Sequence, residues 1–180
     1  MRSKGTQHLT LSALLCALLA VLSQVQIPLP PVPISLSLLA VHLCGALLGA
    51  RWGAAAVGCY VFLGAAGVPV SAGFAGGVSV LFGPTGGFLF GYILCALIVG
   101  LLTQRLGFTR RNLFLSMAAG TLACYALGMA WFSLTSGATL AGSLSVCVLP
   151  FIPGDLLKAV LAASLSVRLQ KPLRSTGLCV

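Results

Sequence analysis

Asp155 is the only acidic residue in this chain, and its ten basic residues fall almost entirely between long apolar stretches. A water-soluble domain cannot be covered with so little charge, because its surface would be apolar area with nothing to face water. Lipid as the solvent removes the conflict. The sequence therefore predicts one integral-membrane domain over residues 1–180, all-α and polytopic. Six apolar spans can be drawn, at about 9–25, 34–50, 52–67, 86–103, 113–134 and 155–169. A crossing helix needs about 17–25 residues, so the second and third spans are near or below the minimum. They meet at a tight turn over 49–53, where Arg51 and Trp52 are interface anchors.

The basic residues orient these spans. Arg2 and Lys4 precede the first, Arg51 separates the second from the third, Arg105, Arg110 and Arg111 separate the fourth from the fifth, and Arg168, Lys171 and Arg174 lie at the end of the sixth. With six crossings all of them share one side, and the connections around Pro28, Gly76 and Gly142 on the other side contain no Lys or Arg. The positive-inside rule then places both termini in the cytoplasm. The apolar segment 138–149 is not counted as a seventh crossing, since that would carry the last basic cluster outside; it is expected to be interfacial or re-entrant. Residues 9–22 imitate a secretory leader, with a tolerable cleavage site at Val21-Leu22-Ser23, but the charge pattern requires them as a retained first helix.

One basic residue does not fit the cytoplasmic set. Lys158 lies one turn from Asp155, near the outer end of the last span. The bland explanation is a first-turn acid complementing the helix dipole and a lysine snorkelling outward. The functional one is a polar contact site: ionisable groups at membrane depth cost about 2.5–3.5 kcal/mol on insertion scales and are retained with partners or for function. Positions i and i+3 share a helix face, so acceptors and donors meet in a small area. A cyclic urea matches that pattern, its N–H groups meeting the carboxylate and its carbonyl the ammonium.

Other chemistries find little support. The seven cysteines form no C-x-x-C pair and six lie in apolar segments, which reads as small buried hydrophobes and not as a zinc site or a disulfide framework. His8 is expected at the cytoplasmic edge and His42 as a helix–helix hydrogen bonder. Two scattered histidines and one carboxylate make no metal or hydrolytic centre, and a membrane-embedded enzyme is disfavoured on the same ground. No Lys-Ser or Lys-Thr follows the glycines of segment 68–87, so no P-loop is present. No basic face with interleaved aromatics suggests nucleic acid. The proline-dense segment 26–34 is expected to be a stiff extended cap. Thr85 is placed to N-cap the fourth helix, whose exposed amides could receive an anion.

The run Ile27-Pro28-Leu29-Pro30-Pro31-Val32-Pro33-Ile34-Ser35-Leu36, the stretch Gly67-Val68-Pro69-Val70, Gly83-Pro84-Thr85-Gly86-Gly87, and Pro153-Gly154-Asp155-Leu156-Leu157-Lys158-Ala159 together resemble the BioY family, in the right order and over nearly the whole chain. These are biotin-binding substrate-specificity (S) components of energy-coupling-factor (ECF) transporters. The resemblance implies a six-helix fold that takes biotin near its external face, with Asp155 and Lys158 on the bicyclic ring and Gly73, Phe74, Gly76 and Gly77 in a loop closing over it. It implies coupling to a transmembrane scaffold subunit and two cytoplasmic ATPases, with Ala13 and Ala17 forming the small-xxx-small pattern that docks the scaffold; a solitary carrier, self-associating in the membrane, is the alternative. Thr85 and neighbouring amides are the expected site for the valerate carboxylate. No cofactor is implied. Ser37 is also an implied substrate-binding position, but the chain departs from the family pattern there, where Gln is usual, as it does at Phe88, where Tyr is usual, and at Phe74, where Gly is usual.

Overall fold

The computed structural model describes residues 4–27 and 34–175. The expected proline cap thus lies largely outside the described residues, although its flanks pair as a two-residue antiparallel ladder, β1 (Gln26–Ile27) with β2 (Ile34–Ser35). The helices are α1 (Lys4–Gln24), α2 (Ser37–Ala65), α3 (Val78–Phe82), α4 (Gly86–Leu106), α5 (Arg110–Ser136), α6 (Leu140–Cys147) and α7 (Ile152–Ser175). Four of them, α1, α2, α4 and α5, are long and apolar enough to cross a membrane. A fifth is added if α6 and α7, bent by 56°, count as one broken span. The segment excluded above as a seventh crossing holds only the eight residues of α6.

The length of α2 conceals a reversal. Gly49 sits at φ 76°, ψ −176°, a conformation that costs any residue but glycine. A Cβ on Gly53 would come 3.0 Å from the Cα of Gly45, whereas a straight helix separates residues eight apart by about 12 Å. Both ends of α2 also return to the C-terminal end of α1: the Leu36 amide donates to Val25 O at 3.0 Å, and Ser23 Oγ donates to the carbonyl of Val70. Thus α2 is two antiparallel arms, 37–48 and 50–65, each shorter than the about 20 residues of a full crossing.

The first arm is the centre of the bundle. Every residue from Ser37 to Ala50 is buried, as expected of a helix that is apolar all round. With no hydrophobic drive between helices in lipid, close backbone approach supplies the packing. Glycines provide it: a Cβ at Gly45 would meet Ala96 and Val99 of α4, one at Gly100 would lie 2.3 Å from the Ala50 amide, and one at Gly120 would meet Val99 and Cys95. His42 ties the same three elements together. Its Nε2 lies 3.3 Å from Thr121 Oγ1 of α5, whose own proton goes to Met117 O, so Nε2 donates. Its Nδ1 is then left to accept from the Cys95 thiol of α4 at 3.8 Å.

These contacts leave two unlike ends. Arg51, Arg105 and Arg110 sit near the Gly49 reversal and the α4–α5 turn, while Ser37, Val70 and the start of α4 occupy the other end. A Gly100→Val substitution is expected to cost about 3 kcal/mol through overpacking against the Ala50 backbone. Gly58→Ala, where nothing lies within 4 Å, is expected to hold or raise stability. Thermal unfolding of the two variants in detergent checks the contrast.

Candidate ligand-binding site

The site begins in the first turn of α7. Pro153 is tolerated there because a first-turn amide has no helical partner, and Asp155 follows in the same turn, complementing the helix dipole. The dipole explanation of Asp155 therefore holds, but the snorkelling explanation of Lys158 does not. Lys158 is 6% exposed, as is Asp155, and its Nζ folds back to Asp155 Oδ1 at 2.6 Å. The other carboxylate oxygen, Oδ2, accepts from the Tyr125 hydroxyl on α5. Removed from water, the carboxyl group has one cationic and one neutral hydrogen-bond donor on its two oxygens.

This pair forms part of the wall of a cavity of about 320 Å³ enclosed by both arms of α2, the segment 71–85, α4, α5 and the start of α7. Ser37 and Thr85 line it together with Asp155 and Lys158. Ser37, almost fully buried, is within 2.7 Å of Ser35 Oγ. Thr85 stands at the N-cap position of α4 but does not cap with its side chain: its backbone is helical, at φ −90°, ψ −6°, and a capping hydroxyl needs an extended residue. Two of the first α4 amides are already used, Gly86 on Gly83 O and Phe88 on Thr85 O.

Gly73, Phe74, Gly76 and Gly77 are not part of the lining; of residues 71–79, Ser71, Ala72, Ala75 and Ser79 face the cavity. The reason is how the segment is pinned. Gln24 at the end of α1 donates from Nε2 to the carbonyls of Val70 (3.0 Å) and Ser71 (3.1 Å), and accepts from the Phe74 amide at 2.9 Å. Gly77 donates to Gly64 O at 2.7 Å, and a Cβ at Gly76 would lie 2.7 Å from Val68 O. The glycines thus seat the segment on the end of α2, and Phe74, at φ 57°, is turned outward and is 71% exposed.

Sequence reasoning passed over the tyrosines. The chain has three, and all of them, Tyr60, Tyr92 and Tyr125, line this cavity. The signal was available: a phenol inside an apolar span needs a hydrogen-bond partner. A second, separate groove of about 350 Å³ runs along α1 and the second arm of α2, lined by Ala13, Ala17, Ala55 and Ala56 among others. Ala13 and Ala17 are exposed in it, and at one end Trp52 stacks on His8 with centroids 5.8 Å apart and planes 10° from parallel.

A helical membrane bundle with a polar, ion-paired cavity at one end and a small-residue groove on its side is a multi-pass solute-binding membrane protein in form. The comparisons narrow this. The sequence profile of the BioY family matches residues 1–175, and the chain belongs to that family. It is 41% identical to the biotin transporter BioY of Thermotoga maritima, over 92% of this chain and 96% of the relative. It is 35% identical to the probable biotin transporter BioY of Pyrococcus horikoshii, over 91% and 96%. Among solved structures it is similar to the S-component for biotin from an ECF-type ABC transporter, with a TM-score of 0.88, 30% identity and 95% of each chain covered.

Removing either partner of the buried pair alone leaves an uncompensated charge, at about 3–5 kcal/mol, whereas replacing both by apolar groups is close to neutral. Ligand-free Asp155→Leu is therefore expected to unfold at a lower temperature than Asp155→Leu/Lys158→Met. Equal melting temperatures for the single and double variants would show that the pair is not electrostatically coupled.

Proposed function

We propose that this chain captures biotin and serves as the substrate-binding S component of an ECF-type transporter. The observation that carries the reading is the Asp155–Lys158 pair buried in the cavity wall. A carboxylate has about four acceptor sites and an ammonium three donors. Lys158 and Tyr125 take two of the acceptor sites, leaving two for the ureido N–H groups, and Lys158 retains donors for the ureido oxygen. The relatives' names and the biotin S-component structure support the same ligand. Ser71, Ala72, Ala75 and Ser79 wall the cavity beside the bound vitamin, and the hydroxyl of Thr85 meets the valerate end. This is binding and transfer, without a chemical step on the ligand.

In the membrane, the two arms of α2 count as separate crossings, which with α1, α4, α5 and α7 makes six. Both termini and the basic end then face the cytoplasm, consistent with the positive-inside rule, and the cavity opens outward. The exposed Ala13 and Ala17 offer the groove beside α1 to the transmembrane scaffold subunit, which in turn couples to the ATPases; small side chains permit the close helix contact that this needs.

Equilibrium binding of labelled biotin to the purified protein tests the reading, and no measurable binding would sink it. Asp155→Asn is expected to weaken binding by about 100-fold and Tyr125→Phe by about tenfold, the range for losing a charged and a neutral hydrogen-bonding group. Ala13→Leu/Ala17→Leu should leave biotin binding intact while abolishing co-purification with the scaffold subunit. Retained co-purification would remove the docking assignment.

A further inference from the structure

The cavity is equipped to read the head of its ligand and poorly equipped to read a charged tail. Among the described residues that line it, Lys158 is the only cation and Asp155 the only anion, so the paired site is neutral overall. Among the described residues, no other basic residue is placed to help. Arg51, Arg105, Arg110 and Arg111 belong to the opposite end of the bundle, and Lys4 begins α1 at the end away from Ser23. Arg168 lies ten residues beyond Lys158 on α7, about 15 Å farther along the helix. The chain between β1 and β2 cannot supply a cation either, because residues 28–33 are all Pro, Leu or Val.

The donors left for the tail are neutral. Thr85, Ser79 and Ser71 contribute hydroxyls; of the first three α4 amides, those of Gly86 and Phe88 are already used on Gly83 O and Thr85 O, and Gly87 is not part of the lining. If a ligand carboxylate took Lys158, it would displace the urea from the one pair suited to it. A carboxylate held only by hydroxyls loses its hydration with no counter-charge to offset the loss. An uncharged carbonyl accepts the same hydroxyl hydrogen bonds with far less desolvation.

We infer that the site selects the bicyclic urea and is indifferent to the charge of the tail, so that neutral-tailed cyclic ureas, amides and esters of the acid among them, are ligands of the same cavity. The inference rests on the biotin reading above and goes beyond it by defining the ligand class. The test is competition against labelled biotin on the intact purified protein, using the primary amide of biotin, which matches the acid in size but carries no charge. A second competitor is the acid whose urea ring has been opened to the free diamine, which keeps the charged tail and loses the head.

The amide is expected to compete with a Kd within about tenfold of that of biotin, and the diamine acid to be more than about tenfold weaker, since neutral and charged acceptors on hydroxyl donors differ by about that factor or less. An amide more than about tenfold weaker than biotin overturns the inference while leaving the biotin reading intact, as does a diamine acid that binds as well as biotin. Failure of labelled biotin itself to bind overturns both.

Discussion

Burying an ion pair in a membrane bundle constrains everything around it. Asp155 is the only carboxylate of the chain, and it persists at low exposure because Lys158 holds one oxygen and Tyr125 the other. That arrangement needs α7 to start with Asp155 in its first turn and α5 to bring Tyr125 alongside. It also needs a cavity on the free side of the pair, for otherwise the remaining acceptor and donor sites would be desolvated without partners. The rest of the fold serves to hold that cavity open at one end of the bundle.

The buried first arm of α2 is the means. Its reversal at Gly49 lets a short helix go in and come back, so Ser37 and Tyr60 both return to the cavity end. Gly100 brings α4 against it and Gly120 brings α5 against α4, and the contacts of His42 with Thr121 and Cys95 fix their register. At the cavity end, Gln24 performs the equivalent task for an irregular segment, satisfying three backbone groups of residues 70–74 with one side-chain amide. Within itself the segment has only a single bridge, Ser71 with Ala75, and one 3-10 turn over Ala72–Phe74, so the bonds from Gln24 help decide which of its residues face inward.

The parts of this that the sequence made legible were those with a large one-body signal. A lone acid and a lysine outside the basic clusters stand out against an apolar chain, and of the six spans drawn, those coinciding with the long apolar helices follow from length and composition. Ser37 and Thr85 were also placed at the cavity. What stayed hidden depends on the third dimension. Glycines 73, 76 and 77 look like a mobile cover, but the close approach of Gly76 to the Val68 carbonyl shows a packed seat, and only the hydrogen bonds of Gln24 and of Gly77 to Gly64 reveal it. Thr85 has the sequence of a capping residue, yet the turn at Gly83 leaves its backbone already helical. The three tyrosines look alike in the sequence, and only their convergence from α2, α4 and α5 distinguishes them as cavity residues.

The central claim is that the Asp155–Lys158 pair recognises a urea. Its most direct measurement is the infrared stretch of a 13C-labelled ureido carbonyl of biotin bound to the protein. A charge-assisted bond from Lys158 weakens that carbonyl, so the band is predicted to lie below its position for the labelled vitamin in water and to lose that displacement in the Lys158→Met protein. A bound-state band at or above the value in water, unchanged by Lys158→Met, would contradict the account.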